Sequence, residues 1–356
     1  MDRVSKFFDT GFIAGDISDY NCHDIGSKKI SKNLNTDEFL AYENVLCKKK
    51  KYMVNILAMG DVGSTLLLGL RLLGGDIIEA IGIFDINREV THRFEMEMNQ
   101  ISYPFFSGDG CDEKESLEDM PAVKVLKEEE IFNCDVFLFC PSVMVPEVDK
   151  KATEDVRMVQ YEGNKKLVEK YVKKAKENEF NGIFAVMSDP VDPLCQCAVN
   201  AGLNREKVRG FGLGVMNARA LYHSMKNKKF GEYKFKGRAY GPHGKDLVIA
   251  NDIDNYDDDL SKELTELAVN ANLEIRKIGF KPYIAPAISS GAISVIEFLK
   301  NRWHYSSISF GEVFLGIKNK LKNENAYFEN PKLDIKLLCR IENAINNLKN
   351  INREEK

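Results

Sequence analysis

The hydrophobic and polar positions divide the chain into short unbroken apolar runs and longer stretches with a helical period. Val54–Ala58 is an apolar run that predicts a buried strand. Ser64–Leu73 follows as an apolar helical stretch, then a Gly74-Gly75 break, then a second run, Ala80–Phe84, with Asp85 at its end. Residues 88–101 continue as a helix. Ala122–Leu126 and Asp135–Cys140 predict strands, the second so apolar that it belongs in the middle of a sheet. Thr153–Asn178 is a long amphipathic helix rich in Lys and Glu. Gly182–Met187 is another buried strand, ending at Ser188-Asp189-Pro190, and Asp192 stands where it would cap a helix reaching Ala201-Gly202. Strands alternating with helices predict an open, mostly parallel α/β sheet.

After about residue 208 the pattern changes. Tyr233–Tyr240 and Asp246–Ala250 read as short strands of a hairpin, 259–273 and 286–302 as long helices, and Phe310–Ile317 as a strand. Leu333–Leu348 closes the chain as an amphipathic helix, with Ile335, Leu338, Ile341, Ala344 and Leu348 on one stripe. This half predicts a second, mixed α+β domain. The expected organisation is an N-terminal arm over 1–50, a nucleotide-binding domain over 51–205 and a second domain over 206–356. Residues 1–50 are polar but carry Phe7, Phe8, Phe12, Tyr20, Phe39 and Tyr42. Two readings of them stand side by side: a partly ordered arm, or an arm that wraps a neighbouring subunit. Lys48–Lys51 reads as a solvated lead-in to the sheet.

Composition narrows the classes. At 356 residues the chain is too long for one small core. A net charge of −4 gives no general attraction to nucleic acid. No apolar run approaches the roughly 20 residues that span a bilayer, and no signal-peptide pattern opens the chain. The eight cysteines are scattered, and Cys195 and Cys197 do not form a C-x-x-C pair. A reduced cytoplasmic protein without a metal site is the simplest account.

The candidate chemistry begins at residues 58–85. Ala58-Met59-Gly60-Asp61-Val62-Gly63 lies between the first strand and its helix, in the strand–turn–helix–strand–acid layout that binds a dinucleotide. Gly60 lets the backbone approach a pyrophosphate, Gly63 lets the helix pack close, and the helix N-terminus offers unpaired N–H groups. Asp85 lies 22 residues beyond Gly63, where an acid accepts hydrogen bonds from an adenosine ribose and repels a 2′-phosphate. That favours NAD over NADP. Arg88 nearby pulls the other way. Ala58 stands where the pattern has its first glycine.

Three further stretches follow in order: Asp155–Asn164, with Arg157 seven residues before Asn164; Ser188-Asp189-Pro190-Val191-Asp192; and Gly210–Arg219 followed by Gly241-Pro242-His243-Gly244. Their order and spacing resemble the lactate/malate dehydrogenase family over roughly residues 53–350. The matching pieces there are a loop Arg with its following Asn, an Asn-Pro-Val-Asp strand end, a Leu-Asp-x-Ala-Arg helix and a Gly-x-His-Gly turn. The resemblance implies a Rossmann domain followed by a mixed α+β catalytic domain. It also implies hydride transfer between NAD and a 2-hydroxy or 2-keto acid, and a homodimer or homotetramer. It makes His243 the proton donor and acceptor, a task that suits an imidazole near neutrality. Arg219 becomes the clamp for the substrate carboxylate, through two parallel hydrogen bonds. Arg157 becomes the loop residue that polarises the substrate carbonyl. Asn164 falls beside the nicotinamide, and Cys140, Pro141 and Ser188 complete the cofactor contacts.

Two positions depart from the family. The Asp that orients the His, three residues before the clamp Arg, is Met216 here, and the Asn before Pro-Val-Asp is Asp189. A carboxylate at 189 repels an anionic substrate, attracts an amino group, or replaces the missing His partner from another direction. The loop before Arg157 carries no other arginine, which leaves Lys150 and Lys151 as weak candidates for selecting the substrate side chain. Three functions therefore remain open: a divergent NAD-dependent oxidoreductase, a dinucleotide-binding protein with little or no turnover, and a relative acting on amino-substituted substrates.

Overall fold

The computed structural model describes residues 51–102, 120–143, 156–322 and 325–353, without the side chains of 156–160. The expectations for residues 1–50, including the arm and its aromatics, lie outside the described residues, as do Lys150 and Lys151.

The first half alternates as its apolar runs predict. The elements are β1 (Tyr52–Leu57), α1 (Asp61–Leu73), β2 (Ile78–Phe84), α2 (Arg88–Asn99), β3 (Ala122–Val125), β4 (Val136–Phe139), α3 (Val156–Glu177), β5 (Ile183–Val186), α4 (Val191–Asn200) and β6 (Val208–Gly210). Adjacent strands are parallel and stand in the order β3-β2-β1-β4-β5-β6. Strand order reverses between β1 and β4, which opens a crevice at the carboxyl ends of the strands. β4 is buried at every position, as a central strand requires.

The second half consists of α5 (Leu213–Lys226), α6 (Tyr233–Lys236), β7 (Arg238–Tyr240), β8 (Val248–Ala250), α7 (Asp258–Lys277), a π-helical stretch Pro286–Ile293 running into α8 (Ser294–Leu299), β9 (His304–Phe310), β10 (Val313–Lys322), β11 (Asn325–Phe328) and α9 (Ile335–Arg353). Four expectations change. Tyr233–Tyr240 is not one strand: its first four residues form α6, and Gly237 separates them from β7. Phe310–Ile317 is not one strand but the close of a hairpin, in which β9 and β10 turn at Gly311 with φ +61. The helix expected over 286–302 begins as the wider π form and ends at Leu299. Asp192, expected as a cap, lies inside α4, where Pro190 holds the N-cap position.

β9 pairs antiparallel with β6 at Gly210 and Ser307, so β9-β10-β11 extend the parallel strands into one nine-stranded sheet. On one face, Leu66, Leu67 and Leu70 of α1 pack with Ala292, Val295 and Phe298 over Val54 and Ile81. The opposite face buries Tyr161, Val168 and Val172 of α3 and Leu194 of α4 against Phe137, Phe139 and Phe184. Gly69 permits the close approach of α1 to the π-helical stretch, since a Cβ there would lie 2.5 Å from that of Ala292. The predicted stripe of α9 buries Leu338, Ile341, Ala344 and Leu348, while Ile335 at its start remains exposed.

Candidate functional site

Parallel strands deliver their last residues to one edge of a sheet. Ala58–Gly60 follow β1, Asp85 follows β2, Cys140-Pro141 follow β4, Ser188-Asp189 follow β5 and Phe211-Gly212 follow β6. The tight turn after β1 needs a left-handed residue at 58, and Ala58 adopts it with φ 73. A Cβ on Gly63 would stand 2.0 Å from the Ala58 carbonyl oxygen, so that position accepts only glycine. Gly60 is the N-cap of α1, and nothing lies within 4 Å of where its Cβ would be. The turn therefore offers bare backbone and a helix N-terminus to open space, which fits a phosphate group. Asp61, in the first turn of α1, is paired with Lys281 at 3.2 Å, which moderates a charge that an anion would meet there.

Asp85 serves the turn itself. One carboxylate oxygen accepts from the Met59 amide at 2.7 Å and the other from the Asn87 amide at 2.9 Å. Asn164, fully buried on α3, braces two loops: its carbonyl accepts from the Val143 amide at 2.8 Å, and its amide donates to the Asp189 carbonyl at 2.6 Å. The Ser188 hydroxyl donates to the Pro141 carbonyl at 2.5 Å. The Cys140 thiol packs toward the core of β1 and α1, where burial pushes it up to about 12 and keeps it neutral.

A cavity of about 90 Å³ opens beside the turn. Val62, Asp189, Gly212, Met216, Arg219, His243, Asn272 and Ser290 contribute to its wall. Those residues come from α1, the turn after β5, α5, the loop after β7, α7 and the π-helical stretch. Gly241, at φ +85, carries the chain into the Gly-Pro-His-Gly turn and donates its N–H to the Gly316 carbonyl at 2.9 Å, which straps that turn to β10. His243 then leans over Gly212, where a Cβ would come within 2.4 Å of Nδ1. Its Nε2 lies 2.5 Å from Oδ1 of Asp189.

Arg219 is buried on α5. Its guanidinium donates to Asn272 Oδ1, to the Ala268 carbonyl at 3.3 Å and to the Met216 sulfur at 3.5 Å. Ser290 joins α5 to the π-helical stretch: its hydroxyl donates to the Gly212 carbonyl at 2.7 Å and accepts from the Val215 amide at 2.8 Å. Asp192 lies behind the cavity wall and accepts from the Ser307 hydroxyl at 2.6 Å. Burial pushes its carboxyl up to about 6, and the His243 charge and the Ser307 hydroxyl hold back a larger rise. Arg157 stands at the second position of α3, and its side chain lies outside the described residues.

The sequence motifs omit Asn272, Ser290 and the part Gly212 plays. Asn272 and Ser290 sit within ordinary helical stretches, and only tertiary packing brings them to Arg219 and Gly212. Gly212 lies inside the Gly-x-Gly-x-Gly segment, but nothing local says that an imidazole will rest on it.

No family model matches the sequence, and no curated protein matches it. Solved structures do. A lactate dehydrogenase from a Medee basin deep-sea metagenome library superposes with a TM-score of 0.65 at 19% identity, over 85% of this chain and 98% of that one. The minor L-lactate dehydrogenase of Enterococcus mundtii gives 0.65 at 18% identity, with the same coverage. The fold is that of the lactate dehydrogenases. A lactate dehydrogenase fold accounts for the strand order. No helix among the described residues is long and apolar enough to cross a membrane.

Proposed function

We propose that the protein is an NAD-dependent oxidoreductase acting on a 2-hydroxy or 2-keto acid, with residues 51–205 holding the dinucleotide and 206–356 supplying most of the substrate site. The observation that carries this reading is the meeting of Val62, from the phosphate-facing turn of α1, with His243 and Arg219 on one cavity. NAD, when bound, supplies the hydride acceptor or donor. The N-terminus of α1 and the bare backbone at Gly60 receive its pyrophosphate, and Asp85 faces its adenosine ribose. Arg219, steadied by Asn272, binds the substrate carboxylate with a planar two-donor face. His243 takes the hydroxyl proton in oxidation and returns it in reduction. Arg157 acts on the carbonyl oxygen. A homodimer or homotetramer belongs to the same reading, and sedimentation measures it.

Loss of NADH absorbance against a panel of 2-keto acids, repeated with NADPH, tests the proposal. Turnover of one acid, preference for NADH, and its loss in His243→Asn support it. Retained turnover in His243→Asn refutes the role of the imidazole. Met216, in place of a carboxylate beside His243, favours a second reading: a dinucleotide-binding protein without turnover. NADH fluorescence changes on binding with no acid reduced would support that one.

A further inference from the structure

A histidine that exchanges protons needs a second group to fix its tautomer and steady its cation. The position that would carry such a carboxylate on α5 is Met216, whose sulfur instead accepts from Arg219 at 3.5 Å. The imidazole still has an acid at hydrogen-bond distance. Oδ1 of Asp189 lies 2.5 Å from Nε2, across the cavity from α5. The geometry points to Asp189 as the positioning residue of His243, in place of the carboxylate absent at 216, with the ring held through Nε2. The inference rests on the proposed proton transfer at His243 and says how that site is prepared.

Three features make Asp189 a built partner rather than a passing surface contact. Its backbone is pinned, since its carbonyl accepts from the buried Asn164 amide at 2.6 Å. The ring cannot retreat, because Gly212 lies directly beneath it and Gly241 is tied to β10. The exposures also differ: the His243 side chain is 17% exposed and that of Asp189 is 50%. The carboxylate thus stays hydrated, and the imidazole meets it at the mouth of the cavity. Asp189 and Arg219 line the cavity with the ring, and the His243 charge acts on Asp192 of α4. Asp192 has its own partner in Ser307, so Asp189 alone of the two acids bonds the ring directly. A carboxylate at Nε2 accepts the proton of that nitrogen. The neutral ring is then the Nε2–H tautomer, with its lone pair on Nδ1.

The test is nitrogen-15 NMR of the histidine rings in the full-length protein, with steady-state kinetics on the same samples. Wild type, Asp189→Asn and the double variant Asp189→Asn with Met216→Asp are compared. His243 of the wild type shows the Nε2–H pattern. Asp189→Asn lowers its titration midpoint by about 1 unit, because a carboxylate within hydrogen-bond reach favours the imidazolium. The acid limb of the kcat profile shifts by the same amount, and kcat falls about 10-fold or more. Met216→Asp on that background restores the midpoint and part of kcat. Asn is isosteric, and the pinning bond is made by the backbone of residue 189, so the fold persists. An unchanged tautomer and midpoint in Asp189→Asn overturns the inference, whatever happens to turnover. If no 2-keto acid is reduced yet the midpoint moves, the pair stands and the proposed reaction fails.

Discussion

Gly212→Ala isolates what the floor of the site does for the imidazole. The backbone at 212 has φ −137 and ψ −33, which alanine adopts without entering the left-handed region. The added methyl would meet Nδ1 of His243 at 2.4 Å, Cε1 at 2.6 Å and Cγ at 2.8 Å. An ordinary contact begins near 3.4 Å, so the ring must move by about 1 Å. A side chain can turn aside, so the cost in stability stays within about 1 kcal/mol. The displacement acts on chemistry. With the floor raised, the ring is driven off the line that holds Nε2 2.5 Å from Asp189, and that contact loses its length and angle. A misplacement of that size costs about 100-fold in rate, equivalent to about 2.7 kcal/mol in the barrier. On the proposed reaction, the assay is kcat with the 2-keto acid that the NADH panel identifies, beside thermal melting of both proteins. A melting temperature near wild type with kcat down about 100-fold is expected. A variant that melts normally and turns over within threefold of wild type would refute the reasoning.

Three further outcomes follow from the same contacts. Ala58→Gly relieves the left-handed strain at φ 73 and loses less than that to unfolded-chain freedom, so stability rises by about 0.5 kcal/mol in urea titration; a lower midpoint contradicts this. Arg71 is buried and donates to the carbonyls of Met98, Ile101, Met120 and Pro121, so Arg71→Met orphans four acceptors and costs about 3 kcal/mol; a loss below about 1 kcal/mol would show that those carbonyls find other donors. Asp192 holds its proton up to about pH 6 when folded, against an ordinary 3.8, so its contribution is fully present below about pH 4 and is lost as pH rises through about 6. Relative to Asp192→Asn, the wild type therefore loses up to about 3 kcal/mol across that window, and parallel pH profiles of the two proteins would argue against a buried acid.

The parts of the fold legible in the sequence are those whose signal is local. Val54–Ala58, Ser64–Leu73 and Ala80–Phe84 each carry one period, and Gly63 is demanded by its own strand–helix junction. β9 was not legible because its residues, His304 to Phe310, mix serines into a buried strand, where Ser307 pairs with Asp192 and His304 with Ser306. Polar atoms satisfied by distant partners erase the alternation that marks a strand. Tyr233–Tyr240 misled for the reverse reason: aromatics suggest a strand, but Tyr233 is buried within a single helical turn, its hydroxyl bonded to Asn217. At the site, the order of the motifs was readable. The contact between Asp189 and His243, 54 residues apart, rests on the geometry of the turns that follow β5 and β7.

The sheet that runs unbroken from β3 to β11 bears on how the molecule moves. Enzymes with two lobes joined by flexible strands admit and trap ligands by swinging one lobe against the other. Here the same ladder continues from β5 through β6 to β9, and Asp192 is bonded to Ser307 across that seam. A lobe rotation would have to shear hydrogen bonds in the middle of the core.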